Sequence, residues 1–134
     1  MARLWSSGAE LNTKTSGVEF TDTNAGNSIV STPVRTGTYS VKSDGGSDNS
    51  FKFTYKADNK TGIYYIRFYL RLSELPDTIL NILLVDGSGA AGLIRMNTNE
   101  QLILLNRLGT QIGSASSALV IDTWYRIEMY VDGS

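Results

Sequence analysis

Apolar and polar residues alternate with a period of two along two long segments of the chain. In residues 64–72 the even positions are aromatic or aliphatic. The odd positions of that segment are Tyr65, Arg67, Tyr69 and Arg71. In residues 124–131 the odd positions are apolar or aromatic, and Arg126, Glu128 and Tyr130 alternate with them. Successive side chains of a β-strand point to opposite faces, so both segments predict strands with one buried face.

Several shorter segments also favour strands because they are rich in aromatic and β-branched residues. Residues 51–55 alternate Phe and Tyr with Lys and Thr. Two runs, residues 79–85 and 102–105, are apolar on both faces. Such runs predict strands that are covered on both sides, either by a long loop or by another subunit. Further candidate strands are residues 3–11, 18–21, 39–42, 92–96 and 118–121.

Turn-forming residues separate these segments along the whole chain. Residues 44–49, 58–62 and 86–89 are rich in Asp, Asn and Gly, and residues 109–117 form a Ser/Thr/Gly-rich stretch that we expect to be an extended loop. No window has a sustained apolar period of 3.6, so little or no helix is expected. About ten strands at this spacing predict an all-β fold in a single domain over residues 1–134, with the pattern of an antiparallel β-sandwich or barrel. Of the two we expect the β-sandwich.

The last strand candidate runs into Asp132, Gly133 and Ser134, a sequence that is typical of the start of a hairpin turn. An unpaired edge strand promotes association with other chains. We therefore expect either that the sandwich is incomplete at its C-terminus or that another chain supplies the pairing.

Composition narrows the classes of function. The formal net charge of −1 and the dispersed basic residues offer no general attraction to nucleic acid or to an anionic membrane. The chain has no Cys and no His. It therefore lacks the thiolate ligands of structural metal sites and the usual general base near neutral pH. These absences point away from most hydrolase and metalloenzyme mechanisms.

The N-terminal residues 1–8 contain no apolar segment of signal-peptide length, and no stretch approaches the roughly 20 apolar residues of a membrane span. We expect a protein that is made in the cytoplasm of its host and acts elsewhere only after lysis or within a particle.

Three ordered segments carry a resemblance to a known family. They are Val34-Arg35-Thr36-Gly37-Thr38-Tyr39-Ser40-Val41, Tyr64-Tyr65-Ile66-Arg67-Phe68-Tyr69-Leu70 and Asp122-Thr123-Trp124-Tyr125-Arg126-Ile127-Glu128-Met129. In this order they resemble the concanavalin A-like, or laminin-G-like, jelly-roll superfamily. The opening residues 3–11 look like the first strand of bacteriophage virion proteins with that fold, including decoration and tail-associated proteins.

The resemblance implies a jelly roll, a location in the virion, and partners that are other copies of the chain and virion proteins. It implies a non-enzymatic structural role. Two features depart from the family. Such domains continue through at least one more strand after the Trp124 strand, and the polysaccharide lyases of the superfamily use a His that this chain lacks.

The polar face of the two alternating segments is the main candidate site. Its residues are Tyr65, Arg67, Tyr69, Arg71, Trp124, Arg126, Glu128 and Tyr130. If the two strands are neighbours, this surface has three interpretations. The first is a ladder of cross-strand pairs, with Arg67 or Arg71 bonded to Glu128. The second is a subunit interface, because Tyr, Trp and Arg are enriched at such interfaces. The third is a platform that binds carbohydrate, including cell-surface glycans.

Other chemistry has weaker support in the sequence. Asp44, Asp48 and Asn49, or Asp86, are candidate Ca²⁺ ligands, although the same residues are ordinary turn formers; no other cofactor is expected. Glu19 and Glu128 are the carboxylates on predicted strands that a glycosidase pair would use. The sequence therefore predicts a structural or interaction protein of a phage-like virion, with a glycan-binding module or a truncated domain of a polysaccharide-degrading enzyme as alternatives.

Overall fold

Every regular element among the described residues is a β-strand. The structure is a computed structural model that describes residues 9–13, 26–43, 63–86 and 90–132. The strands are β1 (Asn27–Val30), β2 (Ser40–Ser43), β3 (Ile63–Leu70), β4 (Leu80–Asp86), β5 (Ala90–Met96), β6 (Leu102–Asn106), β7 (Gln111–Ile112) and β8 (Tyr125–Asp132). All pairings between them are antiparallel. The predicted all-β, antiparallel class is confirmed, and it fits a β-sandwich.

Two compact units divide the chain, Met1–Asn59 and Lys60–Ser134. Within the first unit, β1 pairs with β2. The connection between these strands contains Gly37, whose φ of 82° is a conformation that favours glycine. Both carboxylate oxygens of Glu10 accept from the backbone N–H of Thr38 at 3.1 Å, and a β-carbon at Gly37 would collide with that carboxylate. Any other residue would be strained at this φ and would displace the Glu10 carboxylate. The expectation of a single domain stays a prediction.

The second unit contains a two-stranded sheet, β3–β8, and a four-stranded sheet in the order β4–β5–β6–β7. Ile94 of β5 packs with Met129 and Val131 of β8 in one buried cluster. A β-carbon at Gly92 would lie 2.9 Å from the Met129 methyl group, so glycine lets the two sheets approach closely at this point. The partly buried residues around the cluster are Ile66, Ile82, Leu83, Leu102, Leu104 and Ile127. The two sheets therefore share one core.

Two hairpins of the four-stranded sheet use the same turn. Asn97 begins the turn between β5 and β6, and its side-chain oxygen accepts from the N–H groups two and four residues later, at 2.9 and 3.0 Å. Asn106 does the same between β6 and β7, at 2.9 and 2.9 Å. The residue three positions after each Asn, Glu100 or Gly109, has a positive φ. This is the three-residue hairpin loop with a left-handed residue before the second strand.

Most sequence-predicted strands within the described residues are confirmed. Residues 64–72, 79–85, 92–96, 102–105, 124–131 and 39–42 correspond to β3, β4, β5, β6, β8 and β2, with ends shifted by one or a few residues. The candidates at 18–21 and 51–55, and the loops at 44–49 and 58–62, lie outside the described residues, as does most of 3–11. Residues 9–11 of that last segment form a turn, closed by a bond from the Asn12 N–H to the Ala9 carbonyl.

Other predictions about strands differ from the structure. The candidate at 118–121 forms one isolated bridge, between Gln101 and Ala118, and no strand. The reason is that the Val120 N–H donates to the Tyr125 hydroxyl at 2.7 Å, which turns the backbone away from a ladder. Conversely, β7 lies inside the stretch 109–117 that was expected to be a loop, because the Asn106 turn folds it back onto β6. No helix capable of crossing a membrane occurs in the described ranges.

Candidate interaction surface

The register of β3 against β8 brings six candidate residues onto one face. Tyr65 lies opposite Tyr130, Arg67 opposite Glu128, and Tyr69 opposite Arg126. Directly opposed residues of an antiparallel pair point to the same side of the sheet. We call these six residues the Tyr–Arg face: Tyr65, Arg67, Tyr69, Arg126, Glu128 and Tyr130.

Glu128 links the two arginines of the face. The Arg67 Nε–H donates to Glu128 Oε1, and the Arg126 Nη2 group donates to Glu128 Oε2 at 3.2 Å. The Arg67 side chain is 61% exposed and that of Arg126 is similarly open. Exposed ion pairs contribute about 0–1 kcal/mol to stability. The network therefore orients the guanidinium groups more than it stabilises the fold, and the face carries one net positive charge.

Tyr65 and Tyr130 form an aromatic pair next to this network. Their ring centroids are 5.5 Å apart, and the ring planes meet at 67°, an edge-to-face geometry. The two residues are 57% and 52% exposed, and Tyr69 is also exposed. Edge-to-face pairs are favourable by about 0.5–1.5 kcal/mol beyond the burial of their area. Here most of the aromatic surface is left accessible to a partner.

The opposite side of the same two strands holds the face in place. In β8 the burial alternates along the strand, so that Ile127, Met129 and Val131 point inward while Arg126, Glu128 and Tyr130 point outward. Met129 and Val131 are part of the buried cluster. The outward residues thus lie on two strands that are paired along their whole length and packed on their other side.

Arg71 and Trp124 do not belong to this face. β3 ends at Leu70, one residue before Arg71. The Arg71 side chain is only 22% exposed, and its Nη2 group lies 2.6 Å from Asp122 Oδ1. The Asp122 N–H also donates to the Leu72 carbonyl at 2.7 Å, so Asp122 is bonded to the two residues that follow β3 closely, Arg71 and Leu72. Trp124 is half-buried and precedes the first residue of β8.

The remaining candidates are placed as follows. Asp44, Asp48, Asn49 and Glu19 lie outside the described residues, and for Asp86, the last residue of β4, only the backbone is described. Within the described ranges no three His, Cys, Asp or Glu residues are grouped so that they could hold a metal ion. Ca²⁺ binding at the acidic turns stays a prediction.

Sequence reasoning missed several exposed apolar residues. Leu108, at the tip of the Asn106 turn, is 86% exposed, and Val120 and Ile121 are also exposed. The signal for Leu108 was available, because Asn106 and Gly109 are separated by the spacing of a three-residue hairpin loop. A strand over residues 118–121 would bury one of its two faces, whereas Val120 and Ile121 are both exposed.

Comparison of the sequence with protein-family models, with curated proteins and with solved structures found no match.

Proposed function

We propose that this protein is a non-enzymatic structural or interaction protein of a phage-like virion, such as a decoration or tail-associated protein, with a jelly-roll fold. In this proposal the Tyr–Arg face is the surface through which it assembles with other proteins. Its partners are virion proteins and other copies of the chain.

The single observation that carries the proposal is the composition of the Tyr–Arg face, which is exposed and lies on two paired strands that are packed on their other side. Three tyrosines and two arginines occupy five of its six positions. Tyr and Arg are enriched among residues that contribute most to binding at protein interfaces. Tyr also loses little side-chain entropy on binding, because it has two rotatable side-chain bonds. Such a face is suited to contact with a protein surface.

The rest of the chain supports a role without catalysis. There is no His and no Cys to serve as base or nucleophile. Glu128, the strand carboxylate that a glycosidase mechanism would need, is held between Arg67 and Arg126. Both of its oxygens are therefore engaged in ion pairs within the Tyr–Arg face.

The virion assignment rests on the resemblance of the ordered segments and is tested by the genes that flank this one. Genes for capsid, portal or tail proteins beside it would support the assignment. A neighbourhood made up of polysaccharide-utilisation genes would overturn it.

The surface assignment has its own test in the variant Tyr65→Ser/Tyr130→Ser, the Tyr-pair variant. Binding to the purified capsid and tail proteins encoded beside the gene should be lost in this variant. Leu108→Ser, which removes an exposed apolar side chain outside the face, is the matched control and should bind as the wild type does. If the Tyr-pair variant binds as well as wild type, the face is not the assembly surface.

Glycan binding is the second candidate, favoured by exposed tyrosine rings beside the remaining N–H donors of Arg67 and Arg126. The planes of the Tyr65 and Tyr130 rings meet at 67°, however, so the two rings do not form one flat platform for a sugar. A glycan array with wild type and the Tyr-pair variant separates the two functions. Signals that vanish in the variant would favour the lectin, and a blank array with retained protein binding would favour the structural role.

A further inference from the structure

The register of the β3–β8 ladder makes the Tyr–Arg face complementary to itself. We propose that a second copy of this chain binds there, related by a two-fold axis that lies in the interface, parallel to the strands and midway between them. The inference rests on the proposed function, because it names the partner of the same face.

The position of the two-fold axis determines which residues meet across the interface. A two-fold axis in this position places β3 of one copy over β8 of the other while keeping each residue at its level along the strand. Each residue therefore faces, in the second copy, the residue type that is its cross-strand neighbour within its own chain. Those neighbours are Tyr65 with Tyr130, Arg67 with Glu128, and Tyr69 with Arg126.

All three pairs are attractive when they form between copies. Tyr65 of one copy meets Tyr130 of the other as an aromatic pair, and Arg67 meets Glu128 as an ion pair. Tyr69 meets Arg126, which is the combination of a cation with an aromatic ring. Sheets that pack face to face with their strands nearly aligned are a common arrangement, with a spacing of about 10 Å. No like charges are opposed.

The size of the face sets the expected strength. Two strands of eight residues form a surface about 27 Å long and about 10 Å wide. That area is well below the roughly 800 Å² per partner of a standard stable interface. A single contact should therefore be weak, with a dissociation constant on the order of 0.1–1 mM. Repeated contacts of this strength become effective where several copies are held together, as in a particle.

Charge reversal tests the arrangement. Arg67→Glu opposes two carboxylates across the interface, and Glu128→Arg opposes two guanidinium groups, so each variant alone should remain monomeric. In an equimolar mixture every carboxylate of one variant faces a guanidinium of the other, and the mixture should associate at least as strongly as wild type. The readout is sedimentation velocity from micromolar to millimolar concentration, with far-UV circular dichroism to verify folding.

A second pair of variants controls for net charge. Arg107→Glu and Glu74→Arg have the same net charges as the first pair but change exposed residues outside the Tyr–Arg face. Each control variant should associate as wild type does, and mixing the two should increase association only slightly. If mixing this control pair restores as much association as mixing the first pair, the rescue is unspecific and the proposal fails.

The remaining outcomes are also decisive. A wild-type chain that stays monomeric at millimolar concentration overturns the two-fold contact; if the Tyr-pair variant then still loses binding to a virion protein, the proposed function stands without it. If Arg67→Glu or Glu128→Arg does not fold, the Tyr-pair variant is used instead, because it removes the aromatic contact without placing like charges opposite each other. Undiminished self-association of that variant would overturn the proposal.

Discussion

The two faces of the β3–β8 ladder differ in what holds their residues in place. On the inward face Met129 and Val131 are buried with Ile94 of the opposite sheet, and their identity is set by packing. On the outward face Tyr65 and Tyr130 are more than half exposed, and their contacts are cross-strand pairs. The same strands therefore have one face that is packed in the core and one whose side chains meet mainly each other and solvent.

This difference gives the outward tyrosines their significance. Tyr is itself favoured in strands, but Tyr65 and Tyr130 are more than half exposed, so much of their ring surface is available to a partner. The exposed ion pairs at Glu128 add little to the free energy of unfolding. Substitutions on the inward face should reduce stability, whereas substitutions on the outward face should reduce association.

The largest effect is expected at Met129. Met129→Ala removes a buried side chain from the cluster and leaves a cavity beside Gly92, so the free energy of unfolding should fall by about 2–4 kcal/mol. Tyr130→Ala, one residue along the strand but on the other face, is the matched control and should cost at most about 1 kcal/mol. Urea unfolding followed by circular dichroism measures both. Equal losses would mean that the two faces are not energetically distinct.

An intermediate effect is expected at Arg71, which the sequence assigned to the outward face. Its side chain is only partly exposed and is paired with Asp122, so Arg71→Ala should cost about 1 kcal/mol and leave association unchanged. Arg67→Ala provides the comparison, because its side chain is mostly exposed. That variant should change stability by no more than about 1 kcal/mol while weakening association. The reverse pattern in unfolding and sedimentation experiments would contradict the placement of both residues.

The smallest effect is the coupling between Tyr65 and Tyr130. A double-mutant cycle with Tyr65→Ala and Tyr130→Ala should give an interaction energy of about 0.5–1 kcal/mol, because the edge-to-face contact is local and exposed. Dilute protein must be used so that association does not contribute. A coupling energy near zero would show that the ring pair is not maintained in solution.

The alternation of residue types was sufficient to predict β3 and β8, and for residues 65–70 and 125–131 it also predicted the side of the sheet. It could not predict that these strands are neighbours, because periodicity contains no information about the partner of a strand. The sequence left open whether Arg67 or Arg71 bonds to Glu128; the register confirms the pairing with Arg67, because it places that residue directly opposite.

The errors also have physical causes. Arg71 continues the period of two, but the backbone leaves the ladder after Leu70 and the side chain turns to Asp122. Residues 118–121 have strand-like composition, but the Tyr125 hydroxyl takes the Val120 N–H that a ladder would use. In both cases a side-chain contact prevailed over the strand preference of the segment: a long-range one at Arg71 and a local one at Val120. The exposure of Leu108 follows from the Asn106 turn rather than from hydrophobicity.

The central claim is that the outward face of β3–β8 is the contact surface, and hydroxyl-radical footprinting at increasing protein concentration tests it most directly. Labelling of Tyr65 and Tyr130 should fall as concentration rises into the millimolar range, while Leu108, which is more exposed than either, should be labelled to a constant extent. Protection of Leu108 with unchanged labelling of both tyrosines would contradict the account.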